Sequence, residues 1–407
     1  MRKTILILLS LCASAPALAS AALPDPAAVA QALDQHPMVA AARARVGAAE
    51  ADARAHAKGP HEMTLSTSVT RRTVDFEGQF TEYDAQLMRP IRLPGKASLD
   101  RAIGRHGMDA ATNRAEDAKH QAALLLADSW WDWLAASAEA QVDQVIVENH
   151  DRLVAALQRR ESLGDASRLE VDQTAAALAS ARVGLEQSQG RAKRARVRIE
   201  TQFPALPLPA TAPEVQAPAA PEQGWDEFRA MILANSHEIG AARAEAARSS
   251  SLAARARREK VGDPSIGVRV FSERNGVERG GGLVLSIPFG GGHRSALAEK
   301  AMAEASALDA EARLVEANVA EVAATDIAEA QYRLSAWERA RDALGSQFAA
   351  LAKLRRGFDL GEVDLADLLL GERQVGEAFR TEAQTRIEAH RAVTRVRIDS
   401  HDLWLKD

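Results

Sequence analysis

The chain has 407 residues and a formal net charge of −5, so it is long enough for more than one domain and carries no cationic field for a nucleic acid. Aromatic residues make up only 4%, while alanine, arginine, glutamate and leucine dominate. Such a composition builds long helices packed through small side chains, not a core filled with aromatic rings.

Residues 1–19 read as a signal peptide. Arg2 and Lys3 form a positive n-region, Thr4–Cys12 a short apolar run, and Ala17-Leu18-Ala19 a small-x-small cleavage signal, with Ser20-Ala21-Ala22 as a fallback. Leu11 stands where a lipid-attachment site needs a small residue, so no lipid anchor is expected at Cys12. Cys12 is the only cysteine and leaves with the signal, which excludes disulfides, cysteine zinc sites, iron–sulfur ligation and thiol nucleophiles. Beyond the signal no run of about 18 apolar residues remains, so a membrane helix is excluded; a membrane β-barrel is not.

A helix is expected from Pro26 to Ala57, stopped by Lys58-Gly59-Pro60. Thr64 to Thr73 then alternates, with Leu65, Thr67 and Val69 on one face. After a loop from Asp75 to Thr81, Tyr83 to Leu93 alternates again, with Ala85, Leu87, Ile91 and Leu93 together and Arg89 a charge among them. A proline-free helix follows from Ala97 to Arg160, about 60 residues or roughly 90 Å at 1.5 Å per residue. Positions on one face, such as Leu125, Ser129, Trp133 and Ala136, recur at spacings of three and four, a coiled-coil-like surface. Gly164 suits the left-handed end of that helix and Ser167 the cap of a return helix to Glu200. Phe203 to Gly224, rich in proline and alanine, is an extended linker.

The remainder repeats this plan. Ala41-Ala42-Arg43-Ala44 recurs as Ala241-Ala242-Arg243-Ala244, Ile91–Gly95 as Ile287–Gly291, and Leu163–Ser167 as Leu360–Asp364, all at an offset of roughly 196–200 residues. Strands are expected at Ser265–Phe271, with Ile266, Val268 and Val270 on one face, and at Leu283–Phe289, with Leu283, Leu285, Ile287 and Phe289 together. Asn275-Gly276 and Gly280-Gly281-Gly282 form the loop between them. A second long helix, Ser295–Arg356, turns at Gly361 into a return helix, Asp364–Leu405. The expected organisation is a first structural repeat over 23–202, a linker over 203–224 and a second repeat over 225–407. The fold class is mainly α: long antiparallel helical hairpins with four strands.

This layout resembles the TolC-like outer membrane factors over nearly the whole mature chain. The marks are the doubled Ala-Ala-Arg-Ala opening, the strand-to-helix Pro/Gly segments (Leu285 to Arg294 above all) and the doubled glycine tips. Pro90-Ile91-Arg92-Leu93-Pro94-Gly95-Lys96 is similar to the heavy-metal (cobalt–zinc–cadmium type) efflux branch. The resemblance implies a homotrimer whose subunits each give four strands to a twelve-strand outer-membrane β-barrel, above a periplasmic α-barrel. It implies a passive efflux channel, conducting metal cations if the branch holds. Its partners would be a periplasmic adaptor (membrane fusion) protein, an inner-membrane transporter and outer-membrane lipid. Four strands cannot close a barrel alone, and open edges are not tolerated in lipid, which agrees.

The resemblance also assigns residues. Leu163, Gly164, Ser167, Leu360, Gly361 and Asp364 stand at the tips that would meet the adaptor. Asp367, placed two turns into the second return helix, falls where the family narrows the periplasmic entrance with an acidic ring, and Glu170 is its counterpart. No enzyme motif survives: Gly95-Lys96 lacks the Ser/Thr and first glycine of a phosphate loop, and Gly290–Arg294 reads as a flexible joint. His56 and His61, five apart, do not share a helical face, so no metal site is expected, and no cofactor. A periplasmic adaptor or a coiled-coil scaffold of an export complex remains the alternative; adaptors usually carry one hairpin in a β-rich domain, against two hairpins here.

Overall fold

The computed structural model describes residues 22–405. The expected signal, residues 1–19, lies outside them. Among the described residues, twelve helices and strands, with one short 3-10 turn, run in two series of six. The first comprises α1 (Pro26–Asp34), α2 (Pro37–Lys58), β1 (Thr64–Val74), β2 (Gly78–Pro90), α3 (Lys96–Leu163) and α4 (Arg168–Gln202). The second comprises α5 (Trp225–Asn235), α6 (His237–Glu259), β3 (Ser265–Glu273), β4 (Glu278–Ser286), α7 (Gly292–Leu360) and α8 (Leu365–Asp399).

Four sequence expectations are corrected. The helix expected over Pro26–Ala57 is two, because Pro37 lacks an N–H and disfavours helical backbone at His36. The second series breaks at the same place without proline: Ser236 accepts from the Ile239 N–H at 3.3 Å and starts a new helix. β2 begins at Gly78, not Tyr83, because Phe76 (φ 70°) and Gly78 (φ 103°) turn the chain within a few residues. The third concerns Gly280-Gly281-Gly282, which lies inside β4, not in the loop. A side chain at Gly280 would collide with the ring of Phe271, its cross-strand partner, so glycine admits the ring into the sheet. The fourth is that β2 and β4 stop at Pro90 and Ser286, leaving Ile91, Leu93, Ile287 and Phe289 in joints beyond the strands.

Two compact units emerge, and each draws on both series. One contains residues 22–36, 122–231 and 324–405. Its interior holds Trp130, Trp131, Trp133 and Trp337. Trp130 and Trp133 meet edge to face at 5.2 Å, and Trp131 stacks on His390 at 5.4 Å. Three buried indole N–H groups have acceptors: Trp130 donates to the Ala22 carbonyl at 2.8 Å, Trp131 to Thr394 at 3.2 Å and Trp337 to Glu382 at 2.9 Å. Near the helix turns a second apolar cluster joins both hairpins through Leu157, Val171, Leu351, Phe358, Leu365 and Leu368. Gly371 lets α8 approach α7 there, since a Cβ would lie 2.5 Å from Leu354.

The other unit contains residues 37–121 and 232–323. Its helices pack through small residues: Ala42, Ala110, Ala241, Ala253, Ala298, Ala312 and Ala323 are buried. It also carries a four-stranded sheet, antiparallel in the order β1-β2-β3-β4. Among the described residues no helix is long and apolar enough to cross a membrane.

Candidate functional site

The cross-strand register sorts the sheet into two chemical faces. Leu65 faces Leu87, which faces Val268, which faces Leu283. Thr67, Ala85, Val270 and Gly281 form the next row, and Ile266 with Leu285 the row nearer the helices. These side chains are bare: Leu65 is 66% exposed, Val268 50% and Leu283 90%. A contiguous apolar face uncovered by the chain's own helices marks a surface that meets lipid or protein. Arg89 sits on this face opposite Ile266, one residue pair from the end of the β2–β3 ladder, where a long side chain can reach out of an apolar layer. Arg71 and Arg279 close the face at the turn end.

The opposite face is polar. Ser66, Ser68, Gln86 and Asp84 line it, Arg72 pairs with Glu82 at 2.6 Å, and Arg269 hydrogen-bonds Asp84. The strands have 11, 13, 9 and 9 residues, close to the roughly 9–11 that a membrane barrel strand needs. Of the aromatic residues near the strands, only Tyr83 lies on the apolar face; Phe80 and Phe271 are on the polar one. Phe76 projects from the β1–β2 turn and Phe289 from the joint after β4, both almost fully exposed.

Where β2 enters α3, a charged network holds the joint. Lys96, 1% exposed at its side chain, donates to Asp263 and to the Val261 carbonyl at 2.8 Å and lies 3.1 Å from Glu259. Asp263 also accepts from the Leu93 N–H at 3.0 Å and pairs with His61 at 3.1 Å. Burial raises the Asp263 pKa, but Lys96, the Leu93 N–H and His61 outweigh it and hold the carboxyl down to about 2. Arg92 and Arg255 converge on the buried Asp100 at 3.4 and 2.8 Å. The sequence reading noticed Lys96 only as part of a motif; its acidic partners lie some 160 residues away in the chain, beyond any local pattern.

The hairpin tips form as expected. Gly164 (φ 83°) and Gly361 (φ 76°) take the left-handed conformation. Leu163 and Leu360 before them are 72% and 65% exposed, and Leu169, which the sequence reading passed over, is 65% exposed. Ser167 and Asp364 cap the return helices. Asp367 lies in the first turn of α8, not two turns in, because the helix starts at Leu365.

The two acidic candidates differ in their surroundings. Glu170 closes a capping box: its carboxylate accepts from the Ser167 N–H at 2.6 Å and the Ser167 hydroxyl at 2.9 Å. Those bonds, the backbone one foremost, lower its pKa. Asp367 gives only its backbone N–H to Asp364, at 2.9 Å, and its exposed carboxylate has no hydrogen bond or ion pair among the described residues. Among the described residues no group of three or more His, Cys, Asp or Glu side chains could hold a metal ion.

Residues 28–202 match the family described as outer membrane efflux protein. No curated protein sequence matches. Among solved structures, the outer membrane protein VceC from Vibrio cholerae superimposes with a TM-score of 0.74 at 16% identity, over 92% of this chain and 95% of that one. The MtrE outer membrane channel of Neisseria gonorrhoeae, in its open state, has a TM-score of 0.72 at 15% identity, over 94% and 89%. CusC, described with transmembrane channel formation, has a TM-score of 0.70 at 15% identity, over 92% and 91%.

Proposed function

We propose that the chain is a member of the outer membrane efflux protein family and serves as the outer-membrane channel subunit of a tripartite efflux system, conducting its cargo passively from periplasm to exterior; the family match over residues 28–202 supports this. The observation that carries this reading is the four-stranded sheet, with a bare apolar face, a polar opposite face and two open edges. In lipid such a sheet must close with other strands, and the polar face then lines a watery lumen. The sheet sits in the outer membrane and the long hairpins reach into the periplasm. Channels of this family are homotrimers that work with an adaptor and an inner-membrane transporter.

The tip residues Leu163, Gly164, Ser167, Leu360, Gly361 and Asp364 are the surface for the adaptor, with Leu169 added by its exposure. Of the two acidic positions, Asp367 is the gate candidate, because Glu170 spends its carboxylate on its own helix cap. Three Asp367 carboxylates around a threefold axis repel one another and attract cations. In planar bilayers, Asp367→Asn should lower cation preference and raise single-channel conductance severalfold, while Glu170→Gln should leave both unchanged. A channel with unaltered conductance and selectivity in Asp367→Asn removes Asp367 from the gate. The resemblance of Pro90–Lys96 to the heavy-metal branch makes metal cations the first cargo to test, by metal sensitivity of a deletion strain.

A further inference from the structure

The two series of elements have matching joints. The loop between α6 and β3 is residues 260–264 and that between α2 and β1 is 59–63; the joint between β2 and α3 is 91–95 and that between β4 and α7 is 287–291, so all four are of equal length. One pairing is made within the chain. Pro90 stands opposite Ser265, the Ile91 N–H donates to the Pro264 carbonyl at 2.8 Å, and the Leu93 N–H donates to Asp263 at 3.0 Å. The other, 287–291 against 59–63, is not made within the chain, although His61 reaches Asp263 and Pro288 lies beside Gly262. β4 and β1 are the two edges of the sheet, Phe289 is 91% exposed, Met63 62% and Ile287 49%, and Glu62 is exposed.

The channel reading above closes β4 of one copy against β1 of the next; resting on it, we propose the register of that seam, with the β4 joint against residues 59–63 of the next copy and Glu62 in the place of Asp263, accepting the Phe289 N–H of the neighbouring copy. The register follows from the equal joints: Ser286 and Thr64 replace Pro90 and Ser265. Leu285 then stands opposite Leu65, Leu283 opposite Thr67 and Gly281 opposite Val69.

Joint length alone sets that register, yet it lays apolar face beside apolar face. A shift by one residue would turn the apolar row of one copy onto the polar row of the next. It also sets Glu278 opposite Arg72, a complementary pair on the polar face, and Arg279 beside Arg71 in the outermost row, where water reaches both. The seam between copies differs from the one within the chain in one respect. Gly292 stands where Lys96 stands and Lys58 where Glu259 stands, so Glu62 meets no buried ammonium.

Paired cysteines test this, with Cys12 the only other thiol in the sequence. Oxidised in outer-membrane vesicles, Thr67→Cys with Leu283→Cys should give covalent dimers and trimers on a denaturing gel. Thr67→Cys with Val284→Cys, on opposite faces, should give none. Efficient cross-linking of Thr67→Cys to Leu285→Cys in its stead, or a trimer in which neither pair links, overturns the seam and leaves the channel standing. A chain that stays monomeric in detergent overturns the channel reading itself. Glu62→Ala should cut the fraction of trimer surviving mild SDS severalfold and Glu62→Gln, which keeps an acceptor oxygen, should restore it. Equal survival of Glu62→Ala and the native chain removes Glu62 from the seam.

Discussion

Asp263 shows how much a single carboxylate decides here. It accepts from an ammonium, an imidazole and a backbone N–H at once, and these hold its pKa at about 2 against an ordinary 3.8. A carboxyl depressed by folding stabilises fully above its unfolded value and loses that contribution as pH falls from 3.8 through about 2. The difference amounts to about 2 kcal/mol. Replacing the charge is costlier, because the almost fully buried Lys96 keeps only Glu259 as an anionic partner. Asp263→Asn should therefore destabilise the folded chain by about 3 kcal/mol at pH 7. The gap between native and variant melting temperatures in detergent should narrow on acidification toward pH 2; a gap constant with pH would refute the assignment. Local reading could not find this residue. Its importance comes from partners that only the chain's return brings to it, whereas the caps Ser167 and Asp364 were legible because their partners lie three residues on.

The elements differ in the same way. Alternation predicted the apolar faces of all four strands, and the register confirms that those faces coincide. Alternation did not place their ends: it ran on through Leu93 and Phe289, because it records side-chain type and not the hydrogen bonding that ends β2 at Pro90 and β4 at Ser286. It misplaced the three glycines of β4, since nothing local reveals that Phe271 needs the vacant side of Gly280. The faces make opposite predictions for charge. Val268→Arg puts a cation into the lipid layer and should cost about 2–4 kcal/mol per subunit. Gln86→Arg, on the polar face, should leave stability within about 0.5 kcal/mol of native and shift ion selectivity toward anions. Heat resistance of the assembled protein and reversal potentials in bilayers read the two effects. Equal destabilisation by both would mean that the sheet has no lipid side.

At the scale of the whole molecule, one chain is an incomplete object. Its sheet has two unpaired edges and an uncovered apolar face, and subunits that complete one another are stable only together. The thermal midpoint in detergent should therefore rise with protein concentration, and loss of the sheet's circular dichroism should coincide with loss of trimer on native gels. A midpoint independent of concentration, with monomers retaining the sheet, would contradict this. By itself the sequence determined the twofold run of elements, the long hairpins with their glycine tips and the apolar rows of the strands. Each of these is local: a capping side chain, a left-handed glycine or a repeat period acts over a few residues. Only the tertiary structure decided that both series contribute to each compact unit. It also decided that Lys96 is buried against Glu259 and Asp263, and that Glu170 is spent on its cap while Asp367 is left free. Burial depends on which distant segments meet, and hydrogen-bond geometry on where a helix starts to within one residue; no periodicity in a linear chain encodes either.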